Sequence, residues 1–204
     1  MQRTGGIYKL LSIPKVYSFI QWLFHHPRTE SYFQESIGVT EEKKILDVGC
    51  GLGDNALRFP NSEYVGIDIS QEYIDNANNR FGMLGRFYCV SVDEIEKTDI
   101  TKIDIVIIRG VLHHLSDEQI SSVLEKLKSI MNPGGVLITL DCTFCPKQNQ
   151  ISRMLISLDR GLFVREVDHY RAVLRKSSLK EIESKRIYQN FPPYDRLLMK
   201  FQKI

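Results

Sequence analysis

Residues 45–54 read ILDVGCGLGD, an apolar run closed by an acid and followed by glycines at alternate positions. The run suits a strand covered on both faces, and Gly49, Gly51 and Gly53 let the chain after it turn sharply while a ligand approaches its backbone. A strand, a glycine turn and a helix in that order begin a sheet of parallel strands joined by crossover helices, so this segment constrains the architecture more than any other.

The rest of the chain repeats the alternation. A short helix over 54–59 is stopped by Pro60, residues 64–67 supply a second strand, and Ser70 caps a helix running to about residue 81. Residues 86–90 and 103–108 read as strands three and four, the latter almost wholly aliphatic. Ser116 with Gln119 forms a capping box for a helix to about residue 131, and Asn132-Pro133-Gly134-Gly135 stops it before a fifth strand at 136–140. Beyond Asp141 the pattern weakens, to helices near 150–158 and 168–176 and strands near 181–188 and 196–202. Ahead of the first strand, Ser12 caps an amphipathic helix over 13–24, and a second short helix covers 29–36. Packing on the sheet or covering the site is the expected role of both, with Phe19 and Trp22 leaving peripheral membrane contact as a lesser alternative.

With 204 residues and 43% hydrophobic content, one domain over 1–204 is expected: a helical cap at 1–40, a ligand-binding half at 44–141 and a second half at 142–204. Four scattered cysteines do not make a disulfide framework and fit a reducing cytoplasm. Cys142 and Cys145 form a lone CxxC without the second ligand pair that zinc needs, so no metal is expected. Lys9, Pro14 and Lys15 break the apolar start of the chain, which argues against a signal peptide, and no run reaches transmembrane length. Residues 147–204 carry 13 Lys+Arg against 6 Asp+Glu, a basic region that suits either solvent or an anionic small-molecule acceptor. There is no basic helix with interleaved aromatics, so nucleic acid is not an expected partner.

The chemistry concentrates around the glycine loop. A pyrophosphate-binding turn would carry a third glycine at position 54, where Asp54 stands, and no lysine follows as a phosphate loop would require. Asp47 and Asp54 flank the loop and suit a cation better than a phosphate. Asp68, 21 residues after Asp47, ends strand two where it can accept hydrogen bonds from ribose hydroxyls. Val92 and Asp93 follow strand three, placed to pack on an adenine and accept its amino hydrogens. Arg109, His113 and His114 follow strand four and should open onto the same crevice.

In order and spacing, ILDVGCGLGD, GIDIS at 66–70, IRGVLHHL at 108–115 and NPGGVLITLD at 132–141 resemble the class I S-adenosylmethionine-dependent methyltransferases over about half the chain. The resemblance implies an α/β Rossmann-like fold: a doubly wound seven-stranded, mostly parallel sheet ordered 3-2-1-4-5-7-6, strand seven antiparallel, with helices on both faces. It implies S-adenosylmethionine as cofactor and S-adenosylhomocysteine as product. By position Asp47, Gly49, Gly51, Gly53, Asp68, Ile69, Val92, Asp93 and Arg109 would line the cofactor, Arg109 through its backbone. The helix cut short by Pro60 departs from the usual pattern. PKVYSFIQWL at 14–23 and LDRGLFVREVDHY at 158–170 resemble, more faintly, bacterial small-molecule members, some of surface-polysaccharide pathways.

The expected function is therefore in-line methyl transfer to a small molecule or a glycan- or lipid-linked acceptor. His113 or His114 is the candidate for orienting or deprotonating that acceptor, against the alternative that the pair only fixes its loop. Arg160, Arg165, His169 and Tyr170 are the candidate acceptor contacts. A cofactor-binding protein without turnover, and more remotely an NAD-dependent oxidoreductase, are the competing readings.

Overall fold

The computed structural model describes residues 26–159 and 161–204. The helix expected over 13–24, with its Ser12 cap, and the candidate Arg160 lie outside the described residues.

Seven strands form one path: β1 (Lys44–Val48), β2 (Glu63–Asp68), β3 (Gly85–Cys89), β4 (Ile103–Arg109), β5 (Met131–Phe144), β6 (Lys180–Asn190) and β7 (Pro193–Gln202). Their spatial order is β3-β2-β1-β4-β5-β7-β6, and the two-residue strand Arg165–Glu166 pairs with β5 off this path. β1 to β5 are mutually parallel, while β7 runs antiparallel to both β5 and β6. Order and direction are those the resemblance implied.

Side chains alternating along the strands divide between two cores. In β4, Val106 and Ile108 join a cluster with Leu124 and Leu127 of α3 (Asp117–Ile130) and Val173 and Leu174 of α5 (Val167–Arg175). Ile105 and Ile107 face the opposite way, onto Phe33 and Ile37 of α1 (Pro27–Ile37) and Ile74 and Phe81 of α2 (Gln71–Phe81). Burial on both sides explains the continuous aliphatic run of β4. The remaining helix, α4 (Gln150–Ser157), packs against β5 and β7.

Local signals produce the expected boundaries in most places. Ser70 caps α2 through the amide of Tyr73, and Ser116 and Gln119 make both hydrogen bonds of a capping box at α3. The helix after the glycine loop is a 3-10 turn, Asp54–Arg58, because Pro60 leaves no room for further turns. Asn132 to Gly135 differ from expectation: β5 already begins at Met131, and these residues form a bulge opposite Ile103 and Ile105. Asn132 Nδ2 donates to the Lys102 carbonyl at 3.1 Å and to Asp104 at 2.9 Å, so a side chain supplies ladder partners that Pro133 cannot.

The order reverses between β1 and β4, whose carboxyl ends lead into the Gly49 loop and into Gly110. This switch point is where a sheet of this kind opens a crevice. Replacing Ser116 with Ala should lower stability by about 1 kcal/mol, read as a reduced urea midpoint with unchanged slope.

Candidate active site

One wall of the crevice is the glycine loop. The amides of Gly49 and Cys50 both donate to the Ile67 carbonyl, at 2.8 and 3.0 Å, which folds the loop back over β2. Gly53, at φ +80°, is packed from both sides: a Cβ there would lie 2.9 Å from Ala77 of α2 and from Phe87 of β3. Gly51, at φ +55°, has nothing within 4 Å of where a Cβ would sit. Gly53 thus serves packing, and Gly51 leaves space for something outside the loop.

The acids around the loop divide the work differently from their sequence order. Asp47 is 1% exposed and lies beneath the loop, accepting from Tyr64 Oη at 2.5 Å and from Asn55 Nδ2 at 3.0 Å. Burial pushes its carboxyl pKa up, and these two hydrogen bonds oppose the rise. Asp54 is paired at the surface with Arg80 of α2 at 2.6 Å. Both carboxylates therefore already have partners within the fold, Asp47 beneath the loop and Asp54 at the surface. Asp68 Oδ2 accepts from the Gly51 amide at 3.0 Å, and Oδ1 from the Ser70 amide at 2.9 Å. Burial raises its pKa against those amide hydrogen bonds, and each oxygen retains a lone pair. The neighbouring Ile69 is 77% exposed, an apolar surface at the same strand end. A carboxylate with spare lone pairs beside an exposed isoleucine can hold a ribose and cover a flat base.

Val92 is buried in the core, and Asp93 is exposed, its carboxylate 3.5 Å from Lys126. The Arg109 guanidinium pairs with Glu30 of α1 and lies over the Phe33 ring, 5.3 Å from its centroid. Arg58 reaches the same carboxylate at 2.9 Å. Glu30 therefore ties the cap helix to the end of β4 and to the turn after the glycine loop. Glu30 had no role assigned from the sequence, and its helix face also buries Thr29 and Ser36, so no apolar stripe marked it out.

The opposite wall follows β4, where Leu112–His114 form a 3-10 turn. His113 is buried, with Nδ1 2.7 Å from Asp141 Oδ1 of β5 and Nε2 3.1 Å from Asp159 Oδ1, just after α4. Burial opposes protonation of this ring, but the adjoining Cys142 and the hydrogen bonds to both carboxylates outweigh it and raise its pKa well above the ordinary histidine value. Burial likewise disfavours the Asp159 carboxylate, yet the hydrogen bond and charge of His113 hold its pKa down at about 2. His114 is half-buried, its ring centroid 4.1 Å from that of His113. Gly161 closes the arrangement, since a Cβ there would fall 2.2 Å from His113 Cδ2. Asp141 and Asp159 each sit inside a segment that carried a resemblance, NPGGVLITLD and LDRGLFVREVDHY, yet neither had an assigned role in the sequence.

The residues expected to meet the acceptor from the C-terminal half are placed elsewhere. Arg165 is 5% exposed and fully committed, to Asp117 at 2.7 Å and to the carbonyls of Leu112, Leu115 and Phe163. Tyr170 is fully buried in the core, and His169 pairs with Asp117 at 2.8 Å. Arg165 and Tyr170 are interior groups rather than acceptor contacts, which corrects that expectation for both, while His169 is exposed beside Asp117. Cys142 and Cys145 are buried free thiols, and the described residues hold no cysteine-containing metal cluster.

The family model described as a methyltransferase domain matches residues 46–137, from β1 through the start of β5. The chain is similar to the N-terminal Xaa-Pro-Lys N-methyltransferase 1-B of Xenopus laevis, 24% identical over 80% of this chain and 73% of that protein. It is similar to the carboxy-S-adenosyl-L-methionine synthase of Actinobacillus succinogenes, 30% identical over 59% of this chain and 53% of that one, about half its length. Its fold is similar to that of the N-methyltransferase NodS of Bradyrhizobium japonicum, solved with S-adenosyl-L-homocysteine, at TM-score 0.66 and 16% identity over 89% of this chain and 90% of that one.

Arg165→Ala strands three carbonyls and leaves Asp117 with His169 as its remaining ion-pair partner, and should cost about 3 kcal/mol or more of unfolding free energy in urea. Arg165→Lys should recover less than half of that, because an ammonium cannot reproduce the planar fork.

Proposed function

We propose that this chain, which belongs to the class I S-adenosylmethionine-dependent methyltransferases, methylates an uncharged hydroxyl or amine of a small molecule held against His113, His114 and Asp159. S-adenosylmethionine is its cofactor, and when bound it supplies an electrophilic methyl carbon with a neutral thioether as leaving group. The observation that carries the reading is the open space at Gly51 at the β1/β4 switch point, with Asp68 and Ile69 at the neighbouring strand end.

The chain's own groups then divide the task. Asp68 is suited to accept from both ribose hydroxyls while its present bonds keep it oriented. Ile69 offers an apolar surface to the base, and Gly51 lets the ligand reach the loop backbone. Asp47, held by Tyr64 and Asn55, acts indirectly, by fixing the loop from below. Val92 and Arg109 support this wall from inside and through α1, and Asp93 stands at its rim.

For an in-line displacement the acceptor's lone pair must lie along the breaking bond, so orientation and exclusion of water supply much of the rate. His113 is a poor general base, because a carboxylate occupies each ring nitrogen. Its role is to lock the acceptor wall. The carboxylates there and the commitment of Arg165 argue against the anionic acceptor suggested by the basic C-terminal region. Two of the similar proteins are N-methyltransferases, one named for a protein terminus, which makes peptides a necessary comparison.

Asp68→Ala should weaken S-adenosylhomocysteine binding at least about 10-fold by calorimetry, equivalent to about 1.4 kcal/mol, and NADH should bind more weakly than S-adenosylhomocysteine to the unaltered protein. S-adenosylhomocysteine production should be detected with small neutral alcohols or amines. Turnover confined to phosphorylated acceptors or to Xaa-Pro-Lys peptides would overturn the acceptor assignment. His114→Gln should raise the acceptor KM more than it lowers kcat, and a reverse pattern would return a proton-transfer role to that ring.

A further inference from the structure

We propose that His113, His114 and Asp159 form a binding site for one divalent transition-metal ion of the zinc class, with Asp141 orienting His113 from behind. One ligand atom from each of the three residues lies within 4.8 Å of the others. The separation of His113 Nε2 and Asp159 Oδ1, 3.1 Å, approaches the edge of a coordination sphere with metal–ligand distances of about 2.0–2.2 Å. Two imidazoles and one carboxylate form a set that suits zinc, iron or cobalt, whereas magnesium and calcium favour oxygen alone.

A second observation supports the site. A metal-ligating histidine characteristically donates its other ring N–H to a carboxylate, and His113 Nδ1 lies 2.7 Å from Asp141, whose side chain is 0% exposed. The other oxygen of Asp141, Oδ2, is buried without a hydrogen-bond partner. A single imidazolium leaves this pair of carboxylates with an uncompensated negative charge, and a divalent ion with two neutral histidines balances both. Binding exchanges the proton between His113 Nε2 and Asp159 for the ion and releases that proton to solvent. Asp159, 27% exposed, and the half-buried His114 mark the open side, where remaining coordination positions are available to water. That the acceptor hydroxyl or amine takes one of them rests on the methyl-transfer reading above.

The test is titration calorimetry of the full-length, EDTA-stripped protein with ZnCl2 and, separately, MgCl2, in the absence of acceptor. One zinc per chain with micromolar or tighter affinity is expected, with no comparable magnesium binding. His114→Gln and Asp159→Asn should each weaken zinc at least about 10-fold while far-UV dichroism of the metal-free protein stays unchanged. Because Gly161 packs directly on His113, the less enclosed His114 carries the histidine arm of the test. Absence of stoichiometric zinc, affinity unchanged in both variants, or loss of zinc on Cys50→Ser instead would overturn the proposal. Zinc binding without methyl transfer would leave the site standing and count against the methyl-transfer reading alone.

Discussion

An imidazole held between two carboxylates organises the part of this protein that follows β4 and β5. His113 belongs to the turn after β4, Asp141 to β5, and Asp159 to the segment after α4, so a single ring joins three stretches that share no backbone ladder at that point. Its burial is tolerable because both nitrogens are satisfied and the charges alternate in sign. Gly161 must lack a side chain so that the following segment can close over the ring, and Arg165 then gathers three carbonyls of that enclosure together with Asp117. Because His113 bonds both Asp141 and Asp159, and Asp117 both Arg165 and His169, the members of this wall are tied to one another through shared partners.

The cofactor half depends on a similar device with a different chemistry. Asp47 is buried beneath the glycine loop and spends its carboxylate on Tyr64 and Asn55. Glu30 does the equivalent between Arg58 and Arg109, and so fastens α1 across the switch point. In both halves these acids mainly hold neighbouring side chains together, while Asp68 accepts from the amides of Gly51 and Ser70 and retains a lone pair on each oxygen. Preorganisation of this kind reduces what must be ordered when a ligand binds.

Much of the architecture was legible because it is written in short-range patterns. The aliphatic β4, the capping box at Ser116, the serine cap at Ser70 and the glycine loop after β1 each specify their element through neighbours a few residues away. The bulge at Asn132 to Gly135 was misread because Pro and Gly usually break pairing, while here Asn132 supplies partners from its side chain. Arg165 and Tyr170 read as candidate acceptor contacts because local sequence carries no information on which side chains the interior will take up.

By itself the sequence determined the strand and helix alternation, the glycine loop and the acid at position 68, since each is a matter of periodicity, backbone freedom or spacing along one chain. Tertiary structure alone decided which charges are spent inside the fold and which remain for a ligand. Glu30 meets Arg109 across 79 positions, and Arg165 meets Asp117 across 48. Asp159 reaches His113 only because α4 returns the chain to the end of β5. Pairings over such distances follow from sheet order and helix packing, and no local pattern encodes them.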